Sequence, residues 1–309
     1  MSVRVPQRRP SAPLPTKHGV GPSCVALPQG PWPTIAAFLR ERFPSVSAAT
    51  WSERMAAGEV VDEAGERITD EHSYRPHLRI YYYRSAAAEP TLPVHERVIF
   101  QDECLVVADK PHFLPVVPAG QYVQETLLAR LKRKLNLDAL TPVHRLDRET
   151  AGVVVFCVQA CMRGAYQDLF RLRRVTKQYE AIVHFPRDAE VPDTYRSRLE
   201  EDLHFMRMRE ADGAPNTETH FRVLEAYGAF ARLSLSPITG RKHQLRVHCA
   251  ALRMPIVNDQ LYPELQAATT TTDYARPLQL LAKSIAFQDP ITGCARAFAT
   301  DRLLQGDCW

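Results

Sequence analysis

From Arg97 onward the apolar residues of this chain come mostly in strand-like runs, with helical spacing in only a few places. RVIFQDECLVVADKP, residues 97–111, is two apolar runs around a polar turn and predicts a hairpin. AGVVVFCV (151–158) predicts a buried strand, QYEAIVHF (178–185) an alternating one, and FRVLEAYGAFARLSLSP (221–237) a second hairpin. Leu127, Leu128, Leu131 and Leu135 make a helical stripe whose other face is basic, and KHQLRVHCAALRMP (242–255) has helical character. LQLLAKSIAFQDP (278–290) closes the pattern. Strands outnumber helices and follow one another, so the fold class predicted for residues 94–309 is α+β, a mostly antiparallel mixed sheet with flanking helices.

Upstream the pattern changes. Residues 1–30 hold six prolines and no apolar period, and read as a disordered basic tail. Over 31–85, Ile35, Phe38, Leu39 and Phe43 have helical spacing that Pro44 ends. A short helix follows around Trp51–Ala57, and GEVVDEAGERI (58–68) suggests a small hairpin. Residues 86–93, rich in alanine and proline, read as a linker between this small module and the main domain.

Composition adds bounds. With 309 residues, 45% of them hydrophobic, there is material for a sizeable core. No apolar run approaches the ~20 residues of a membrane-spanning helix, and the N-terminus lacks the apolar segment of a signal peptide. Seven cysteines, odd in number and without a CxxC pair, suit a reducing compartment, so a soluble cytoplasmic protein is expected. The net charge of +4 is unevenly spread. Basic clusters at 130–134, 163–177 and 241–246 contrast with residues 51–72, where seven acids face two arginines. A main domain with one face toward a polyanion fits that distribution.

HRLDRETAGVVVF, residues 144–156, sets Asp147 between Arg145 and Arg148 at the entrance of a buried strand. Adjacent cations favour the ionised carboxylate, which suits a nucleophile better than a general acid. Taken alone, an aspartate among arginines is a surface ion pair, and a strand tyrosine such as Tyr179 is packing. In TGRKHQLRVH, residues 239–248, two histidines five positions apart do not share one helical face, which disfavours a zinc site; phosphate binding stays open. Glu149 beside Asp147 raises a carboxylate-pair hydrolase, although adjacency in sequence gives no separation for the two groups.

Together the three stretches resemble the RluA-like family of RNA pseudouridine synthases. The family's HRLD block, with Thr, a small residue and Gly after it, is matched by HRLDRETAG, with Ala151 where Ser is commoner. Its KxYxAxV strand is matched at Lys177, Tyr179, Ala181 and Val183, and its TGRxHQxRxH block from Thr239 to His248. DECLVVADKP, IVNDQLYP and LQLLAKSIAFQDPITG extend the likeness over about 94–298. Two departures stand out: His112–Phe113 replaces a small residue and glycine after KP, and Leu281 stands where a histidine is usual.

The resemblance implies an enzyme that isomerises particular uridines of structured ribosomal or transfer RNA by flipping them out of the stack. It implies Asp147 as the catalytic carboxylate, Tyr179 stacked on the base as proton acceptor or relay at C5, and Arg246 paired with Asp147. Arg145 would enter the vacated stack, and Arg148, Lys177, Arg241, Lys242, His243 and Gln244 would contact RNA. No cofactor or metal is implied. The partner is RNA, with no membrane, and the chain is expected to be monomeric. Residues 31–85 resemble an S4-like RNA-binding module, although the acids at 51–72 make it a poor phosphate binder. The competing reading is a non-catalytic RNA-binding protein on the same scaffold.

Overall fold

The computed structural model describes residues 12–84, 89–267 and 271–305, and the chain divides into two compact units, Met1–Glu89 and Pro90–Trp309. In the first unit, β1 (Ser23–Ala26) is followed by helices α1 (Ile35–Arg42) and α2 (Ala48–Ala56), then β2 (Val60–Asp62) and β3 (Arg79–Tyr82). Each helix starts at a hydroxyl: Thr34 accepts the Ala37 N–H, and Ser47 accepts the Thr50 N–H, satisfying donors that have no partner inside the helix. The strands form an antiparallel sheet in the order β1-β3-β2. Ile35, Phe38, Leu39, Trp51, Val60 and Ile80 make its core.

Two expectations change here. The tail predicted over 1–30 is ordered at least from Ser23, because β1 pairs residue for residue with β3 and Leu27 joins the core. Residues 1–11 lie outside the described residues. The linker predicted over 86–93 ends before Leu92, whose side chain is buried in the second unit and whose carbonyl accepts from Arg130; residues 85–88 lie outside the described residues.

The second unit contains β4 (Arg97–Gln101), β5 (Leu105–Lys110), α3 (Leu127–Leu135), β6 (Thr141–Pro142), β7 (Ala151–Cys157), α4 (Arg163–Arg171) and β8 (Val175–His184). It continues with β9 (Thr194–Glu201), β10 (Met208–Ala211), β11 (Thr217–Tyr227), β12 (Phe230–Pro237), α5 (Gln244–Ala251), β13 (Leu280–Gln288) and β14 (Ala295–Ala299). These make one eleven-stranded sheet with the path β10-β9-β11-β12-β8-β13-β7-β5-β4; β6 and β14 pair with β7 and β13. All its strand pairings are antiparallel except β13 with β7, so the sheet is mixed and mostly antiparallel, as the sequence predicts. No helix among the described residues is long and apolar enough to cross a membrane.

β5 and β7 are buried at every position because both faces of this part of the sheet are covered, and the charges Asp109 and Lys110 at the end of β5 interrupt its apolar run. Val106, Ala108, Val154 and Phe156 face the α3 leucines Leu127 and Leu131. The alternate residues Leu105, Val107, Val153 and Val155 meet Tyr166 and Leu169 of α4 on the other side. At the parallel pairing, Gly152 has φ +116°, and a Cβ there would lie 2.2 Å from the Ala282 carbonyl oxygen. The glycine after Thr150–Ala151 is therefore a requirement of the β7–β13 contact.

Candidate active site

Asp147 lies on the loop between β6 and β7, and backbone contacts hold that loop from both sides. His144 Nε2 accepts the Val155 N–H at 3.1 Å while its ring stacks on Phe170. Burial lowers the His144 pKa to about 3, so the ring stays a neutral acceptor. On the other side Lys110, fully buried, donates to the carbonyls of Pro111, Leu114 and Arg148 at 2.8–3.0 Å. His112 Nδ1 lies 2.6 Å from the Glu149 carbonyl. The loop is a rigid mount for one carboxylate.

Burial pulls the Lys110 pKa from 10.5 down to about 7. Between those values the unfolded chain holds a proton that the folded chain has released, so stability rises with pH across about 7–10.5. Lys110→Met removes that titration and leaves three buried carbonyls without their donor, each costing about 1–3 kcal/mol. The variant is expected to melt lower than the parent at pH 7. The gap should widen toward pH 10 as the parent alone gains stability, and a pH-independent gap in melting temperature would contradict this assignment.

The neighbours of Asp147 in sequence are not its partners in space. Arg145 is exposed, and Arg148 turns away to the Phe113 carbonyl, to Thr272 and to the face of Tyr122. Among the described residues, the basic nitrogens within 4 Å of Asp147 belong to Arg246, 3.6 Å from Oδ2, and His243, 3.9 Å from Oδ2. The expected Arg246–Asp147 pair is thus close, but it is not Arg246's main bond. Its Nε and Nη2 donate to both oxygens of Asp259 at 2.8 and 2.6 Å, and Asp259 Oδ1 also accepts the Leu261 and Tyr262 N–H groups. Nη1, the nitrogen nearest Asp147, is buried without a hydrogen-bond partner among the described residues.

Arg246 is only 2% exposed. Burial by itself would lower its pKa, but the hydrogen-bonded Asp259 carboxylate outweighs that, with Asp147 adding to it, and holds the guanidinium charged. Burial also lowers His243 to about 4, so this ring is neutral. The Tyr262 hydroxyl oxygen accepts the Met208 N–H and lies 2.9 Å from His243 Nδ1. The other ring nitrogen, Nε2, faces Asp147.

Lys177 and Tyr179 sit two apart on β8 and line the same cavity as Asp147, together with Thr239, Gly240 and Arg246. Burial, reinforced by Asp147, raises the Tyr179 pKa and keeps the phenol protonated. Lys177 donates to the Thr239 carbonyl at 2.8 Å, and burial beside Arg173 lowers it to about 8. The inner cavity, about 100 Å³, opens into a trough of about 1180 Å³ walled by residues 115–122, by Arg145, Arg171 and Arg173, and by Arg241 and Lys242. Among the described residues no group of three or more His, Cys, Asp or Glu side chains is placed to hold a metal ion.

The residues expected to contact RNA therefore divide. Arg145, Arg241 and Lys242 are exposed on the trough, whereas Gln244 is 3% exposed with its amide committed inside the protein. Its oxygen accepts from Thr239 Oγ1 and the Arg241 N–H, and its nitrogen donates to the Glu218 carbonyl and Thr219 Oγ1. Gln244 braces the turn that enters α5 and is corrected from an RNA contact to a structural brace. Phe113, where the family has glycine, adopts φ +67°, a conformation uncommon for a bulky residue, with its buried ring edge-on to Tyr274. Leu281 packs in the sheet opposite Ala151.

Asp259, Tyr262 and Lys110 were not assigned roles from sequence. IVNDQLYP carried the signal for Asp259, being an acid in an apolar stretch just after a helix that bears a buried arginine. A family described as RNA pseudouridylate synthase matches residues 104–251. The dual-specificity RNA pseudouridine synthase RluA of Haemophilus influenzae is 33% identical over 218 residues, 68% of this chain and 94% of that protein. The ribosomal large subunit pseudouridine synthase D of Xanthomonas campestris is 31% identical over 279 residues, 83% of this chain and 82% of that one. Among solved structures, human RNA pseudouridylate synthase domain containing 4 is 28% identical with a TM-score of 0.52, covering 67% of this chain and 88% of its own. The chain belongs to the RluA-like family of RNA pseudouridine synthases, isomerases that turn uridine in RNA into pseudouridine.

Proposed function

We propose that this chain isomerises particular uridines in structured ribosomal or transfer RNA, with Asp147 as the essential carboxylate. The observation that carries this reading is the cavity itself: an anchored carboxylate, a protonated phenol and a buried arginine share a pocket at the floor of a cationic trough. The trough takes the strand, and the inner pocket takes one base, which must leave the stack to expose its glycosidic bond. Asp147 attacks the ribose or the ring, the N1–C1′ bond breaks, the base turns, C5 bonds to C1′, and the bond to Asp147 is released to give the carboxylate back. The hydrogen on C5 is lost and N1 gains one, so the reaction is an isomerisation without net redox change. Tyr179 stacks on the base and relays the C5 proton, while Arg246 sets a positive charge 3.6 Å from Asp147 Oδ2. Of the relatives named above, one is named for the ribosomal large subunit and one for dual specificity, which supports structured cellular RNA as the substrate class.

The same reading places the chain in the cytoplasm as a monomer, supported by cysteines that are all free among the described residues. It also takes the first unit as an S4-like module. Two helices with a three-stranded sheet support that fold, and the acids at 51–72 argue against strong phosphate binding there. Incubating the purified protein with RNA carrying tritium at uridine C5, taken from cells lacking the gene, is the test. Release of tritium to water, with pseudouridine at defined positions, is expected; intact label would leave the RNA-binding reading in its place. Tyr179→Phe keeps the ring but not the hydroxyl, and is expected to bind RNA like the parent while releasing tritium roughly 10²-fold more slowly. Equal rates would remove the phenol from the proton relay.

A further inference from the structure

The turn joining β9 to β10 carries apolar side chains that the fold does not use. Leu203 is fully exposed and Phe205 is 81% exposed, and Met206 follows. The backbone beneath them is well tied. Asp202 N–H donates to the Arg207 carbonyl, Arg207 N–H donates to the His204 carbonyl, and the His204 ring stacks on Phe205. The base of the hairpin is fixed to the active site, since Met208 N–H donates to the Tyr262 hydroxyl that also meets His243, beside Asp147. Arg207 lies over the Tyr262 ring and donates to the Pro263 carbonyl. At the tip, Lys242 Nζ donates to the Phe205 carbonyl at 3.2 Å, joining the exposed ring to the cationic wall of the trough.

A tied hairpin that holds a phenyl ring in water beside a cationic wall has one substrate class that matches both features. Of the hairpin's acids, Asp202 and Glu200 are paired with Arg207 and Arg198 and Glu210 accepts the Tyr195 hydroxyl, while Lys242 reaches the turn itself. The surroundings of the ring therefore favour a polyanion over an apolar protein surface. Unpaired bases offer flat faces to an aromatic ring whatever their identity, and their phosphates meet the lysine. We propose that Phe205 is a stacking platform for an unpaired base of the RNA flanking the modified uridine, with Lys242 holding the adjoining phosphate. The proposal rests on the chain acting on RNA and adds that its substrate presents a single-stranded segment next to the target.

Direct binding separates the possibilities. The full chain and its Phe205→Ala, Phe205→Tyr and Phe205→Leu variants are titrated with labelled oligouridine and with a blunt RNA duplex of equal length. Because the side chain is exposed, all four are expected to melt alike. Phe205→Ala should bind oligouridine roughly tenfold more weakly and the duplex as the parent does. Phe205→Tyr should restore the affinity and Phe205→Leu should not, since stacking needs a ring. Unchanged oligouridine binding, an equal loss on both probes, or full rescue by leucine would each overturn the platform. So would a concentration-dependent dimer of the parent, in sedimentation, that Phe205→Ala abolishes, because the ring would then serve self-association. Tritium release by the parent is scored separately. A parent that binds oligouridine through Phe205 but releases no tritium overturns the catalytic reading and leaves the platform standing.

Discussion

Asp147→Asn is expected to abolish tritium release, by on the order of 10⁴-fold or more, while leaving the fold and RNA binding in place. The substitution keeps the volume and the hydrogen-bonding outline of the side chain and removes only the charge and the nucleophile. Folding survives because of what surrounds Asp147. Its loop is held by backbone bonds from Lys110, His112 and His144, none of which involves the carboxylate. Arg246 keeps its two bonds to Asp259 when Asp147 is neutral, so no buried cation is left without a counter-charge. The melting temperature should stay within about 2 °C of the parent. Pseudouridine mapping and single-turnover rates at saturating RNA are the measurements; turnover within tenfold of the parent would remove Asp147 from the chemistry.

Arg246→Ala is expected to damage stability and rate together. Removing one member of a buried ion pair strands the other, at a cost of about 3–5 kcal/mol, which in a unit of this size lowers melting by roughly 6–20 °C. Here the stranded group is Asp259, with Asp147 also losing its near cation. Arg246→Lys keeps a charge but cannot bridge both oxygens of Asp259 and still point a third nitrogen at Asp147, so it should recover stability better than rate. Asp259→Asn is the informative partner. It removes the anchor that turns Nη1 toward Asp147, leaves Asp147 as the nearer carboxylate, and is expected to slow turnover more than it weakens RNA binding. The double variant Arg246→Ala with Asp259→Asn should melt higher than Arg246→Ala alone, since no buried carboxylate is stranded at that position. If Arg246 served only to touch RNA phosphate, Arg246→Ala would weaken binding in a salt-dependent way and leave melting without RNA and saturated turnover near the parent's.

These expectations depend on knowing which charges meet, and that is where the chain's own order misleads. Arg145 and Arg148 flank Asp147 in sequence, yet a loop clamped at the carbonyls of Arg148 and Glu149 sends the Arg148 side chain toward Phe113 and Tyr122 and leaves Arg145 at the rim. The cation that reaches the carboxylate comes from α5, brought there by the folding of β8, β12 and β13 into neighbouring positions. Gln244 had the polarity of an RNA contact, and only its burial shows that its amide is taken by Thr239, Thr219 and two backbone groups.

What is local along the chain was legible without the fold. Runs such as AGVVVFCV and QYEAIVHF give their strands because a two-residue period and bulky β-branched side chains act between near neighbours. The three blocks containing Asp147, Tyr179 and Arg246 were legible only together, through their resemblance to a family, since each taken alone reads as an ion pair, as packing or as an unspecific basic stretch. Short or polar elements were not. SCVA was absorbed into a proline-rich tail because four residues with half their side chains exposed become a strand only by pairing with β3. The β9–β10 hairpin, polar along most of its length, left Phe205 unread. The sequence by itself determined the strands, the order of the blocks and the family they point to. The tertiary structure alone decided that Asp259 holds Arg246, that Lys110 braces the loop of Asp147 and that Phe205 stands exposed beside Lys242. Those depend on distances between segments far apart in the chain, which no local periodicity encodes.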